Sequence, residues 1–103
     1  MFSCVEGDVS IRSDELIYIE TMGHKSIIHL KTHDYHIYEK MDAFEQMLKP
    51  YGFLRIHKSY LVNMCHVRNI NSYVLTLDNG IQISVPKARY KEVKREYADL
   101  MKD

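Results

Sequence analysis

Net charge is the first thing this 103-residue sequence lacks: fourteen Lys and Arg balance fourteen Asp and Glu. Taken alone, a zero total argues against a nucleic-acid partner. Cysteine is scarce. Cys4 and Cys65 form no C-x-x-C pair, and without an export signal they are expected as thiols of a reducing, cytoplasmic compartment. No apolar run approaches the length of a membrane span. Met1-Phe2-Ser3-Cys4 leads straight into acidic residues, so no signal peptide is expected. There is no Gly-rich phosphate loop, no G-x-S-x-G and no H-E-x-x-H. Cys65 and His66 are adjacent, and on a strand they would face opposite sides, too far apart for a nucleophile–base pair. Neither enzymatic activity nor a cofactor is expected. No repeat, low-complexity tract or linker divides the chain, and its length suits one domain over residues 1–103.

What is present favours sheet. Eight Tyr, three Phe and many β-branched residues fit pleated surfaces. Phe2 to Ile11 reads as an edge strand with a turn or bulge at Gly7-Asp8. Leu16-Ile-Tyr-Ile19 is a continuous apolar run, expected to be buried on both faces. Glu20 to Lys25 reads as a polar connection with a tight turn at Gly23. Ser26–Thr32 and Tyr35–Tyr38 read as strands flanking a turn at His33-Asp34. The period then changes: Met41, Phe44 and Met47/Leu48 fall at helical spacing, and Pro50 and Gly52 end the helix. His66–Ile70 is another strand, followed by a turn at Asn71-Ser72. Tyr73–Leu77 and Ile81–Val85 flank Asn79-Gly80, a hairpin signal that predicts a type I′ turn. Pro86 stops that ladder. From Lys87, an apolar stripe of Tyr90, Val93, Tyr97, Leu100 and Met101 predicts a C-terminal helix. The fold class is mainly β, with eight to ten short strands, one short middle helix and a C-terminal helix.

Between the middle helix and His66 lies Phe53-Leu-Arg-Ile-His-Lys-Ser-Tyr-Leu-Val-Asn63. Phe53, Leu54 and Ile56 alternate with Arg55 and His57, then Tyr60-Leu-Val62 resumes the apolar run. Two strands thus pinch out a polar tip at His57-Lys58-Ser59, whose donors and cation face outward. Charge is also segregated. Residues 1–50 carry five Lys/Arg against nine Asp/Glu, and residues 51–103 carry nine against five. From Tyr51 to Arg95, eight cations are opposed only by Asp78 and Glu92. A neutral total can therefore hide a positive face, although a solvated mixed-charge surface reads equally well.

The Phe53–Asn63 stretch resembles the signature of the LytTR DNA-binding domain, F-x-R-x-H-R-S-x-x-V-N. Asp14–Glu20, Leu75–Gly80 and Ile83–Val93 extend the resemblance over Val9 to Tyr97. It implies small stacked antiparallel sheets whose loops enter successive major grooves of double-stranded DNA. It also implies short direct-repeat operators, DNA bending and control of bacterial transcription, as in response regulators of two-component systems. A receiver domain often precedes such a domain in a longer chain, and two copies could pair on DNA. Carried over residue by residue, it makes His57 and Lys58 contacts of the central loop, with Lys where the family often has Arg. His24 and Lys25 fall in the first contact region. Lys87 and Arg89 fall in the third, where Ala88 takes the place of a family Arg. Without the resemblance, each of these reads as a solvated turn or helix-start residue. The cations at the helix start oppose the helix dipole, which favours a functional reason for them.

Asn63 reads as structural, closing a strand by bonding nearby backbone. Arg55 and Arg68 read equally as phosphate clamps or strand-surface residues. His29, His33 and His36, with Asp34 near, are the one grouping worth testing for zinc. The turn at His33-Asp34 breaks their common face, so no metal site is expected. A β-rich protein-interaction module, contacting partners through Tyr35, Tyr38, Tyr51 and Tyr73, is the alternative function.

Overall fold

The structure, a computed structural model, describes residues 2–4 and 6–101, the side chains of Phe2 and Ser3 excepted. The strands are β1 (Phe2–Cys4), β2 (Gly7–Val9), β3 (Leu16–Met22), β4 (Lys25–Leu30), β5 (Asp34–Ile37), β6 (Phe53–His57), β7 (Tyr60–Asn63), β8 (Val67–Asn71), β9 (Val74–Leu77) and β10 (Gln82–Ser84). Helix α1 (Met41–Leu48) joins β5 to β6, and α2 (Lys87–Met101) follows β10. The strands form three sheets, ordered β1-β2, β5-β4-β3-β7-β6 and β10-β9-β8, with every pairing antiparallel. No described helix is long and apolar enough to cross a membrane.

The five-stranded sheet is covered on both faces. On one side Leu16, Ile19, Ile28, Phe53 and Leu61 pack against Met41, Phe44 and Leu48 of α1. On the other, Ile17, Tyr18, Ile56 and Val62 pack against Leu75, Leu77 and Ile83 of the three-stranded sheet and Val93 of α2. This sandwich explains the unbroken apolar run at the start of β3: all four of Leu16 to Ile19 are buried. Strict alternation would send Ile17 and Tyr18 to opposite faces. A register shift between Leu16 and Tyr18 lets both join the same cluster, as a β-bulge does.

Several boundaries differ from the sequence reading, each for a backbone reason. The first strand is a hairpin: Gly7 and Asp8 pair with Cys4 and Ser3, so they belong to β2 rather than to a turn, and Val5 lies outside the described residues. The supposed connection from Glu20 to Lys25 is mostly ladder. Glu20, Thr21 and Met22 pair with Ile27, Ser26 and Lys25, leaving only Gly23-His24 as the turn. Polar side chains do not end a strand whose backbone bonds remain satisfied. The Asn79-Gly80 hairpin forms, but not as a type I′ turn. Among its loop residues only Gly80 has positive φ, at 89°, and its N–H donates to the Leu77 carbonyl at 2.9 Å. A three-residue loop needs just one left-handed residue. The two-residue left-handed turn sits instead at Ser72-Tyr73, φ 52° and 63°, one position beyond the expected one. Cys65 and His66 lie in a short 3-10 turn, not on a strand. In the apolar stripes, Met47, Leu100 and Met101 remain exposed.

Asn63 is structural, but its reach is long. Its amide nitrogen donates to the carbonyls of Ser13 at 3.1 Å and Leu16 at 2.9 Å, while its Oδ1 accepts from the Cys65 N–H at 3.3 Å. It ties the entry of β3 to the exit of β7. Asn63→Leu removes these bonds from the buried junction and should lower stability by about 1–3 kcal/mol. Urea unfolding checks this; an unchanged midpoint contradicts it. Tyr18 gives a second handle. Burial, with Glu20, Asp34 and Tyr60 adding to it, pushes its phenol up to about 12. The folded state keeps that proton while the unfolded chain releases it near pH 10, so stability falls as pH rises from about 10 to 12. Tyr18→Phe should flatten that loss in thermal melts taken across this range, and an equally steep loss would contradict the assignment.

Candidate nucleic-acid interface

The polar tip is held from three sides. β6 and β7 close with His57 opposite Tyr60, after a register shift that follows Arg55. Lys58 and Ser59 bridge them. The Ser59 N–H donates to His57 Nδ1 at 3.1 Å, so a neutral His57 carries its proton on Nε2, where it can donate to a ligand. The Thr21 N–H donates to the Ser59 carbonyl at 2.9 Å, which pins the tip to β3. Arg55 Nη2 donates to the Lys58 carbonyl at 2.7 Å. The Lys58 side chain itself is exposed. A backbone braced by these hydrogen bonds thus presents one exposed cation.

Antiparallel pairing decides what stands beside it. Glu20 pairs with Tyr60 and Met22 with Lys25, so the Gly23-His24 turn emerges at the same end of the sheet as the Lys58 tip. Between the two runs an open groove of about 630 Å³, lined by His24, Tyr38, Lys40, Arg55 and Lys58 among others. Two buried polar atoms at its wall, Thr21 Oγ1 and Arg55 Nε, have no hydrogen-bond partner among the described residues. Lys25 is a strand residue rather than a turn residue, and its Nζ lies 5.5 Å from the centre of the exposed Tyr38 ring. The structure therefore gathers His24, Lys25, His57 and Lys58 at one end of the five-stranded sheet.

Lys87 and Arg89 belong to a different place. They open α2, just past the three-stranded sheet, where the Val85 N–H donates to the Tyr73 carbonyl at 2.8 Å. Lys87 Nζ lies 5.9 Å from the Tyr73 ring, which packs 4.4 Å from the Tyr90 ring. Lys94 approaches Tyr90 from 5.4 Å. Arg89 turns along its own helix to Glu92 at 3.5 Å. Lys87 is the more available cation of the pair.

Two residues that the sequence left ambiguous acquire roles. Arg55 bridges α1 and the tip, because its Nη1 also reaches Asp42 and Glu45. Arg68 braces the Asn79-Gly80 hairpin by donating to the Asp78 carbonyl at 2.6 Å. Neither partnership is visible from spacing, since each joins different elements. The three histidines weighed for zinc go to separate partners. His29 sits between Glu20 at 2.7 Å and Asp34 at 2.8 Å, His33 pairs with Thr32, and His36 with Glu6. Among the described residues no group of three or more His, Cys, Asp or Glu could hold a metal ion.

Known proteins resemble this chain in sequence and fold. A family model described as the LytTr DNA-binding domain matches residues 7–98. The transcriptional regulatory protein LytR of Staphylococcus aureus strain N315 is 29% identical over 89 residues, covering 82% of this chain and 36% of that protein. The sensory transduction protein LytT of Bacillus cereus is 22% identical over 95 residues, covering 87% of this chain and 39% of that one. The chain thus spans little more than a third of the length of these relatives. A solved LytTr DNA-binding domain from Bacillus cereus superposes with a TM-score of 0.77 at 22% identity, covering 91% of this chain and 90% of that one. The match runs through the five-stranded and three-stranded sheets, the Lys58 tip and most of α2, and the chain belongs to the LytTR family of DNA-binding domains.

Proposed function

We propose that the chain acts as one domain that binds double-stranded DNA with sequence preference, serving as the output domain of a bacterial transcriptional regulator. The observation that carries this reading is the Lys58 tip: a backbone fixed by three hydrogen bonds, an exposed cation, and His24 at the same end of the sheet. Lys58 and His24 suit a major groove, whose base edges offer acceptors to such donors. His57 Nε2 and Lys25 suit the flanking phosphates. Lys87, with Arg89 once released from Glu92, supplies a second cationic contact. Surface ion pairs such as Arg89–Glu92 give way at little cost.

Several features of the reading follow from it. Where such a domain stands in a longer chain, a receiver domain there would supply the switching signal. Separated contact regions suit a direct-repeat operator and a pair of domains along it. Lys at position 58 keeps the charge of an Arg but not its planar fork, so base discrimination there is looser. A protein-interaction role through the exposed Tyr38, Tyr51 and Tyr73 would leave the positive tip without a purpose.

Two measurements test the proposal. With about five phosphate contacts, log affinity for duplex DNA should fall against log salt with a slope near −4.5. A flat response would favour a protein partner instead. Selection of bound sequences from a random duplex pool should yield a defined site, and Lys58→Ala should bind that site about tenfold more weakly, ~1.4 kcal/mol, while keeping residual binding. An unaltered preference in Lys58→Ala would remove Lys58 from base readout.

A further inference from the structure

We infer that Arg55 is a positioning residue, and that Asp42 and Glu45 of α1 act through it to aim the Lys58 tip. This rests on the reading of Lys58 as a DNA contact. Arg55 is three residues before Lys58, and only 21% of its side chain is exposed. One terminal nitrogen, Nη1, meets Asp42 and, at 3.3 Å, Glu45; the other donates to the Lys58 carbonyl at 2.7 Å. The planar guanidinium can serve acceptors in two directions at once, whereas an ammonium is a compact point charge. Arg55 is therefore a bracket between helix and tip.

The local charge argues against the other role open to an arginine here. Two carboxylates surround one guanidinium, so the cluster carries a net negative charge. A phosphate arriving at Arg55 would meet Asp42 and Glu45 first. Two carboxylates beside a groove that faces DNA are unfavourable for affinity by themselves. Their geometry supplies a compensating reason. Asp42 and Glu45 are three residues apart, hence neighbours on one face of α1. The helix's other face is anchored by Met41, Phe44 and Leu48, all buried. The helix that carries the carboxylates is thus fixed to the core, and Arg55 ties the carbonyl of Lys58 to it.

The two roles predict opposite signs. If Arg55 contacts phosphate, Asp42→Asn/Glu45→Gln frees it and removes two negative charges, and binding to every duplex strengthens. If Arg55 positions the tip, the same variant loosens Lys58. Affinity for the duplex selected by the intact chain should then fall about fivefold, while affinity for a scrambled duplex holds or rises. Arg55→Lys, which keeps the charge and loses the fork, should behave alike. A readout without DNA accompanies these. The Ser59 and Thr21 amides, bonded to His57 and to the Ser59 carbonyl, should exchange hydrogen about tenfold faster in the double variant. Tighter binding of the selected duplex, or unchanged exchange at both amides, overturns the inference. Lys58→Ala, measured alongside, keeps the two questions apart. If it leaves sequence preference intact, the DNA role of Lys58 falls, while the exchange rates still decide whether the bracket exists.

Discussion

Everything in this fold hangs on a central strand that must be dry on both sides. β3 carries Leu16 to Ile19 into two separate clusters, one under α1 and one under the three-stranded sheet with α2. A run of buried backbone in that position has to satisfy its hydrogen bonds entirely from its neighbours. β4 and β7 do so along its length, and Asn63 does so at its entry. The same pairing has a functional consequence. With β3 central, its neighbouring turn at Gly23-His24 and the Lys58 tip must emerge together, because antiparallel partners share their ends. The grouping of donors is a product of topology as much as of sequence.

Rigidity then passes outward to the tip. Thr21 of β3 holds the Ser59 carbonyl, and His57 holds the Ser59 N–H. Arg55 connects the Lys58 carbonyl to α1. Each tie starts in an element packed against the core, so the presenting surface has little freedom except in its side chains. Such preorganisation suits recognition, since ordering a loop on binding would subtract from affinity. The zero net charge of the chain is compatible with this. Asp42 and Glu45 pair with Arg55, and among the described residues the exposed Lys58 and Lys87 form no ion pair.

Much of this was legible in the residues. Alternation through Phe53–Asn63 marked the two strands and their polar tip, and the continuous run at Leu16 marked burial on both faces. Met41, Phe44 and Leu48 marked α1. What stayed hidden depended on backbone partners. Glu20 and Thr21 look like loop residues, yet their amides and carbonyls sit in a ladder. Ser72 and Tyr73 adopt left-handed conformations with no glycine to announce them. Lys25 moved from turn to strand for the same reason. The role of Arg55 was hidden because its carboxylate partners lie in another element, ten and thirteen residues away. The relation of Lys87 to the tip was likewise unreadable, since the tip belongs to the five-stranded sheet and Lys87 opens α2.

We propose that the exposed donors at the end of the five-stranded sheet and the start of α2 face one duplex together. Amide chemical-shift mapping during titration with a single duplex tests it most directly. Shifts should gather at His24, Lys25, His57, Lys58 and Lys87, and Leu100 and Met101, at the far end of α2, should stay still. Shifts gathered around Tyr51, Leu100 and Met101, with His24 and Lys58 unmoved, would contradict it.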